Sequence, residues 1–274
     1  MQNFVIRILL AVANSLWMAF LLLLVSAFVF CSLAMLIKGD AAIAGARRAA
    51  AESRLNLTWL VIDTLTVAPW IGLLVALVRS VFVRYRLEIV PEATWSSVGT
   101  LGTFIAVIFA GDFASYWRHR LEHTRWLWPA HAIHHSDTEM TWLTLSRFHP
   151  VNRATTSALD IAFLAMLGFP SWALVANEIL RNYYGQFIHA DFPWTYGPLG
   201  LLFVSPAMHR WHHARDVTGA GSNFATVFSV FDRAFGTHYV PGPCDVPLGV
   251  TDKVGGNAIR QLVYPFVAWA RKVQ

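Results

Sequence analysis

Charged positions sit at the borders of long apolar runs, and the spacing of those borders predicts the fold. Between Arg7 and Lys38 the chain carries no charge, so Ile8 to Ile37 forms one apolar run of 30 residues. A helix crossing the hydrocarbon core of a bilayer needs about 20 residues, so the run predicts one long, tilted span. It is too long for the core of a signal peptide, and no small-residue cleavage site follows it. A polar loop over 38–57 is expected next, holding Lys38, Asp40, Arg47, Arg48, Glu52 and Arg54. The second predicted span runs from about Thr58 to Val78, kinked near Pro69 and closed by Arg79, Arg84 and Arg86. The third runs from about Val98 to Tyr116 and continues without a breaker to His123. Between Arg153 and Ala190 a further apolar stretch is split by Gly168, Phe169 and Pro170, the pattern of a membrane hairpin that returns to the side where it began. The last 85 or so residues are more polar, broken by Gly and Pro, and read as a cap. No solenoid-type repeat occurs. The expected fold is an all-α membrane protein: three N-terminal spans, a helical membrane hairpin and a cytosolic helical cap. Its expected divisions are membrane spans over 1–95, a catalytic domain over 96–240 and a tail over 241–274.

Composition agrees with this. Hydrophobic residues make up 56% of the chain and charged residues 14%, and mean hydropathy is +0.48. Soluble domains carry roughly 25% charged residues, so the deficit points to a membrane protein. The formal charge of +5 then reads as basic loops beside anionic lipid. No Lys/Arg-rich run interleaved with aromatics suggests nucleic-acid binding. Cys31 and Cys244 lie far apart and outside any CxxC, so neither a disulfide framework nor an iron–sulfur site is indicated. If the three spans cross in turn, loop 38–57 shares a side with the segment 117–153. The first carries Lys38, Arg47, Arg48 and Arg54; the second carries Arg118, Arg120, Arg125, Arg147 and Arg153. Arg7, Arg79, Arg84 and Arg86 fall on the other side. The positive-inside rule puts the first side in the cytoplasm, as in a multi-pass protein of a bacterial inner membrane.

That side also holds the chemistry. Nine of eleven histidines form a pattern: His119 and His123 as HxxxH, His131, His134 and His135 as HxxHH, His189 alone, and His209, His212 and His213 as a second HxxHH. Imidazole is the commonest nitrogen ligand for transition metals. Positions i, i+3 and i+4 share a helix face. Adjacent histidines diverge by about 100° and suit two neighbouring metals better than one. Nine also exceed the four that one tetrahedral ion takes, so a two-metal centre is expected. His149 is a candidate further ligand or ligand support, and His238 a weaker one. Asp112, Asp137, Asp191 and Asp216 are placed to orient ligating rings, and Asp160 and Glu178 lie inside the hairpin, where ionisable residues are usually functional. Trp142, Phe148, Phe187, Trp194 and Trp211 could line an apolar channel to the metals, or belong to an interfacial aromatic belt.

HRLEH, HAIHHSDTEMTWLTLSRFHP and SPAMHRWHHARD resemble the signature blocks of the fatty acid hydroxylase/sterol desaturase superfamily, and NFATVFSVFDRAFGTHYVP is similar to the segment that closes its domain. The resemblance covers roughly residues 95–240. It implies an integral membrane enzyme with a histidine-ligated di-iron centre at the cytosolic membrane face, using O₂ and electrons to hydroxylate or, second, desaturate a lipid or sterol-like substrate. By the resemblance, His119, His123, His131, His134, His135, His189, His209, His212 and His213 are the ligands of two Fe ions, with Zn as a possible substitute. One departure is Gly185, where some members have a further histidine four residues before the one matching His189; Gln186, Asn182 or His149 would then complete the shell, and Asp216 would support it. Electrons are expected from a separate reductase and carrier, ferredoxin or cytochrome b5-like, because the chain has no GxGxxG, no CxxC and no HPGG haem motif. Arg118, Arg120, Arg125, Arg210 and Arg215 are the candidate carrier-docking residues. Two other readings stay open at this point. A membrane zinc hydrolase lacks the HExxH order here, and a metal carrier would spread its ligands along a path.

Overall fold

The computed structural model describes residues 2–218 and 221–273. Eleven α-helices form among them, and the only β-type pairing is an isolated antiparallel bridge, Ala214 to Leu248. α1 (Gln2–Lys38) is the uninterrupted helix that the charge-free run predicts, about 55 Å long at 1.5 Å per residue. Phe28 and Leu36 are 77% and 82% exposed on its outer face, surface that only lipid covers at no cost. Three helices, α1, α4 and α5, are long and apolar enough to cross a membrane, and the chain is an integral membrane protein.

Two expectations need correction. The stretch 38–57 is helical rather than a loop: Gly39, at φ 54°, turns the corner into α2 (Asp40–Arg48), and α3 (Ala50–Thr66) follows at once. The run from Ala41 to Arg54 is rich in alanine and arginine, the strongest helix formers; its arginines face outward and Glu52 turns inward to Arg147, without interrupting the backbone. The second span, in turn, is two helices. α3 ends at Val67 (φ −117°, ψ −49°), and α4 (Ala68–Tyr85) starts with Pro69 in its first turn. A proline there costs no hydrogen bond, because the first-turn N–H groups have no helical partner. α5 (Glu92–Glu122) carries the third span and is broken once at Gly99 (φ 79°, ψ 166°); Thr103 Oγ1 donates to the Trp95 carbonyl, 2.9 Å away, one of those left near the break.

The hairpin forms where the sequence puts it. α7 (Pro150–Met166) and α8 (Ser171–His189) meet at Gly168, which has φ 64° and lies so close to the Val90 carbonyl that a Cβ would sit 2.0 Å from it. This tip is pinned to the turn before α5. Ile89 N–H donates to Met166 O, Arg79 to Phe169 O, and Trp95 stacks on Phe169 at 4.1 Å. α4 and α5 pack along α7, and α5 also along α8.

At the far end of the bundle the short helices α6 (Trp128–His135), α9 (Pro206–His212) and α10 (Val230–Ala234), with α11 (Ala258–Val273), form the cap. Tyr116 of α5 and Ile188 of α8 pack with Val204, Met208, Phe224 and Phe231 of the cap. Trp59 of α3 packs on Ile133 and Val254 and donates to Gln261 Oε1 of α11 at 2.8 Å. Arg147, with a fully buried side chain, joins the layers: Nε donates to Asn56 Oδ1 at 2.6 Å, and Nη2 bonds the Glu52 carboxylate. An ion left unpaired at that depth would cost several kcal/mol, roughly, so this network fixes α3 against the segment after α6.

Candidate metal centre

All nine histidines converge at the junction of the bundle and the cap, and the structure divides them into two groups. His119, His123, His131, His135 and His212 form one; His134, His189, His209 and His213 form the other. Within each group the ligand-capable atoms lie within 4.8 Å of one another. The division follows helical geometry. On α6, His131 and His135 stand one turn apart and go together, while His134, rotated by about 100° from His135, joins the other group. α9 repeats the device with the roles exchanged: His209 and His213 pair, and His212 crosses over. α5 contributes His119 and, at its C-terminal cap, His123; α8 contributes His189 as its last residue. Helices as short as α6 and α9 are marginal on their own. Pro129 and Pro206 start them, Ser205 Oγ accepts from Met208 N–H, and packing holds them, α6 against α11 and α7 and α9 against α8.

The donor set fits metal ions. His119 Nε2 and His131 Nε2 are 3.1 Å apart, His131 and His135 3.2 Å, His134 and His189 3.1 Å, and His189 and His209 3.0 Å. With metal–nitrogen bonds of about 2.1 Å, neighbouring ligands of an octahedral ion sit about 3.0 Å apart. Protons alone cannot satisfy so many facing lone pairs. His123 Nε2, His212 Nε2 and both ring nitrogens of His213 are buried without a hydrogen-bond partner. Burial also keeps the rings in the neutral, ligating form. Desolvation holds His134, His135, His209 and His213 well below the ordinary imidazole range, lowers His131, and brings His212 down to about 3.

The outer nitrogens set ring orientation. His119 Nδ1 lies 2.8 Å from Phe224 O, His212 Nδ1 2.5 Å from Ser222 O, and His189 Nδ1 2.6 Å from Gly185 O. Facing a carbonyl, each Nδ1 must carry the proton, which leaves Nε2 free to bind a metal. His131 Nδ1 is held by Asn152 Oδ1 at 3.1 Å, and Asn152 Nδ2 donates to Glu122 Oε1 at 2.7 Å. Glu122 is anchored in turn by Arg118 at 2.8 Å and Thr156 at 2.8 Å. The sequence reading missed Glu122 and Asn152. Glu122 is the fourth residue of HRLEH, four after Arg118, and that spacing could have flagged it.

The aspartates chosen from sequence orient no ring. Asp112 accepts from the backbone N–H groups of Thr226, Val227 and Phe228. Asp137 bonds Asn56 and Thr144, Asp191 pairs with Lys38, Asp160 with Arg118, and Glu178 approaches Arg153. Asp216 is not one helical turn beyond His212, because α9 ends there and Asp216 stands in the left-handed region at φ 52°. His149 spends both ring nitrogens elsewhere: Nδ1 accepts from Val151 N–H at the start of α7, and Nε2 donates to Leu262 O. His238 lies outside both groups. Of the aromatics, Phe148 stacks on His134 at 4.6 Å, and Trp142 stacks on Phe30 beside the cavity; Phe187 and Trp194 pack on each other, and Trp211 packs on Tyr239.

A cavity of about 190 Å³ opens onto His119, His131, His134, His189 and His209 from the membrane half, with Asn182 and Gln186 on its wall. It shares lining with a second space of about 390 Å³ under α1. A separate opening reaches His123, His135 and His212 from the cap side, past Arg125, Arg215 and Lys272.

Residues 104–237, the segment that supplies every one of these rings and the Asp112 clasp on 226–228, match the family described as Fatty acid hydroxylase. This segment of the chain belongs to the fatty acid hydroxylase/sterol desaturase superfamily. In the fatty acid hydroxylase match, the boundaries begin within α5 and run through α10, leaving α1 to α4 and α11 outside. Relatives carry several activities. The chain is 32% identical over 163 residues to ornithine lipid hydroxylase OlsE of Rhizobium tropici, covering 59% of this chain and 49% of that protein. It is 33% identical to alkylglycerol monooxygenase of Danio rerio, covering 66% and 40%. To methylsterol monooxygenase 2-2 of Arabidopsis thaliana it is 27% identical, covering 54% and 55%. The chain thus spans about half the length of the curated relatives it matches, or less. No solved structure matches it.

Proposed function

We propose that this protein is a membrane-bound di-iron oxygenase that hydroxylates, rather than desaturates, a lipid. The observation that carries the reading is the pair of buried all-histidine groups, five and four rings, that interleave on α6 and α9 and open onto a cavity leading under α1. The nine rings are the proposed ligands of two irons, and zinc would compete for the same nitrogens. Such a centre supplies the redox chemistry on O₂ that attacks an unactivated C–H bond. The chain's own residues do the rest. Phe148, against His134, shields the cavity side of the second group. The Glu122–Asn152 relay fixes the His131 tautomer, and α1 walls the space where an acyl chain would lie. Of the alternatives, the zinc hydrolase finds no support in Glu122, the carboxylate beside His131, because Arg118, Asn152 and Thr156 engage it and it is not free as a base.

In this reading residues 96–240 are the catalytic unit, 1–95 the membrane spans and 241–274 a tail across the cap. The histidine end faces the cytoplasm of a bacterial inner membrane, where a ferredoxin or cytochrome b5-like carrier with its reductase delivers electrons. The cap-side opening at Arg125, Arg215 and Lys272 supports that delivery route. Arg118 and Arg210 do not, since they pair with Asp160 and Asp191. The test is iron content with turnover. Protein purified under reducing, anaerobic conditions should hold about two irons per chain, oxidise a lipid extract only when carrier and reductase are added, and slow as salt rises. Active protein with one metal or none would overturn the reading.

A further inference from the structure

The cavity beside the histidines is lined with charge. Asp63 of α3, Arg118 of α5, Arg153 and Asp160 of α7, and Glu178 and Arg181 of α8 all face it. Ionisable groups buried between helices are costly, and they persist where they are paired or where they bind something; of the six only Glu178 is largely exposed. Three of these are settled within the protein: Arg118 closes on Asp160 at 2.9 Å, and Arg181 donates to Gly111 O at 2.6 Å. Three others are not. Arg153 Nε stands 3.6 Å from Asp63 Oδ1, and its Nη2 stands 3.8 Å from Glu178 Oε1; neither gap is a hydrogen bond. Asp63 Oδ1 is buried with no hydrogen-bond partner, and so is Gln186 Oε1 on the same wall. Asp63, Arg153, Asn182 and Gln186 also line the space under α1, so they stand at the joint between it and the cavity at the histidines.

A purely apolar substrate crossing that joint would leave a carboxylate, a guanidinium and an amide oxygen unsatisfied. An anionic headgroup would suit Arg153 and repel Asp63; a cationic one would do the reverse. A group carrying both charges satisfies all three. We propose that the joint binds the zwitterionic headgroup of an amino lipid, with its ammonium donating to Asp63 and Gln186 and its acidic oxygens accepting from Arg153. The inference rests on the reading of the histidine groups as a lipid-oxidising centre, and it names the substrate class of that same site.

The test separates headgroup recognition from chemistry. Iron-loaded, detergent-solubilised protein is equilibrated without reductant with lipids of matched acyl chains, and the lipid retained after detergent exchange is counted by mass spectrometry. The probes are an amide-linked amino-acid lipid, phosphatidylethanolamine, phosphatidylglycerol and diacylglycerol. Wild type should retain at least one zwitterion about tenfold better than the anionic and neutral lipids, and the better-retained zwitterion identifies the acidic group as carboxylate or phosphate. Asp63→Asn and Arg153→Gln should each bring that preference close to one, while Asp63→Glu and Arg153→Lys keep most of it. Equal retention of diacylglycerol by wild type would overturn the proposal without any variant. So would a preference that survives both neutral substitutions with iron content intact. Retention needs no O₂ and no electrons. A headgroup preference without turnover on any lipid therefore counts against the oxygenase reading, and turnover without preference against the headgroup site.

Discussion

The two histidine groups are built from the same two helices, yet they are braced differently. In the five-ring group, three outer nitrogens have partners outside the group: His119 on Phe224 O, His212 on Ser222 O, and His131 on the Asn152–Glu122–Arg118 relay. In the four-ring group only His189 is held firmly in this way; His134 approaches the Arg147 backbone, and the outer nitrogens of His209 and His213 are buried without partners. The four-ring group also lies beside Gly185, where Leu145 leaves no room for a larger side chain without moving, and beside the unpartnered Gln186 oxygen. One side of the centre is therefore held in orientation by more outside partners than the other, although both reach the cavity.

Removing a ring from each group tests the comparison hardest. His134→Ala and His212→Ala should each abolish turnover, a loss of at least about 10³-fold, while the protein still inserts in the membrane, because the spans and the centre rest on different contacts. Iron should fall toward one per chain in both, with His134→Ala emptying the four-ring group. Full activity in either variant removes that residue from the centre. A smaller effect is expected from the brace. Asn152→Ala frees the His131 ring and should weaken iron retention in the five-ring group by about 10–100-fold against a chelator, with the four-ring group little changed. Equal loss from both groups would show that the difference in bracing has no energetic meaning.

The smallest effect is on acid stability. Folded-state burial lowers the pKa of the rings, so the unfolded chain takes up protons first as pH falls. Stability is complete above the ordinary imidazole value of about 6.5 and is lost as pH drops below it. Metal-free protein should therefore show a falling Tm between about pH 6.5 and 5. Iron-loaded protein should hold its Tm further into acid, because bound metal competes with the protons. A flat Tm in the metal-free protein would mean that its rings are not buried neutral.

How much of this could be read in advance depended on whether the signal was local. The charge-free run of α1, the Gly168–Pro170 break and the two HxxHH motifs are contiguous patterns, and their structural counterparts lie where expected. The split of each HxxHH between two groups was also legible, because it follows from 100° per residue. The partners of Asp112, Asp137 and Asp191 were not. Each was placed by its spacing from a histidine, but a carboxylate answers to whatever donor the tertiary fold brings, and Thr226, Asn56 and Lys38 lie far away in sequence. The helicity of 38–57 is masked in the sequence by its charges, which have the pattern of a loop, whereas its alanines decide the backbone. Asp216 failed for a related reason: the helix that would have carried it one turn beyond His212 stops at His212 itself.

The interleaving of α6 and α9 also sets a timetable. Each group needs rings from both motifs, so one cannot be completed until synthesis has passed His212 and the other until it has passed His213. At roughly 5–20 residues per second, the 82 positions from His131 to His213 take about 4–16 s. During that interval the five rings from His119 to His135 lack the partners that complete their groups. A metal held by either group would therefore be enclosed only once α9 has docked, because His212 closes one group and His209 and His213 close the other.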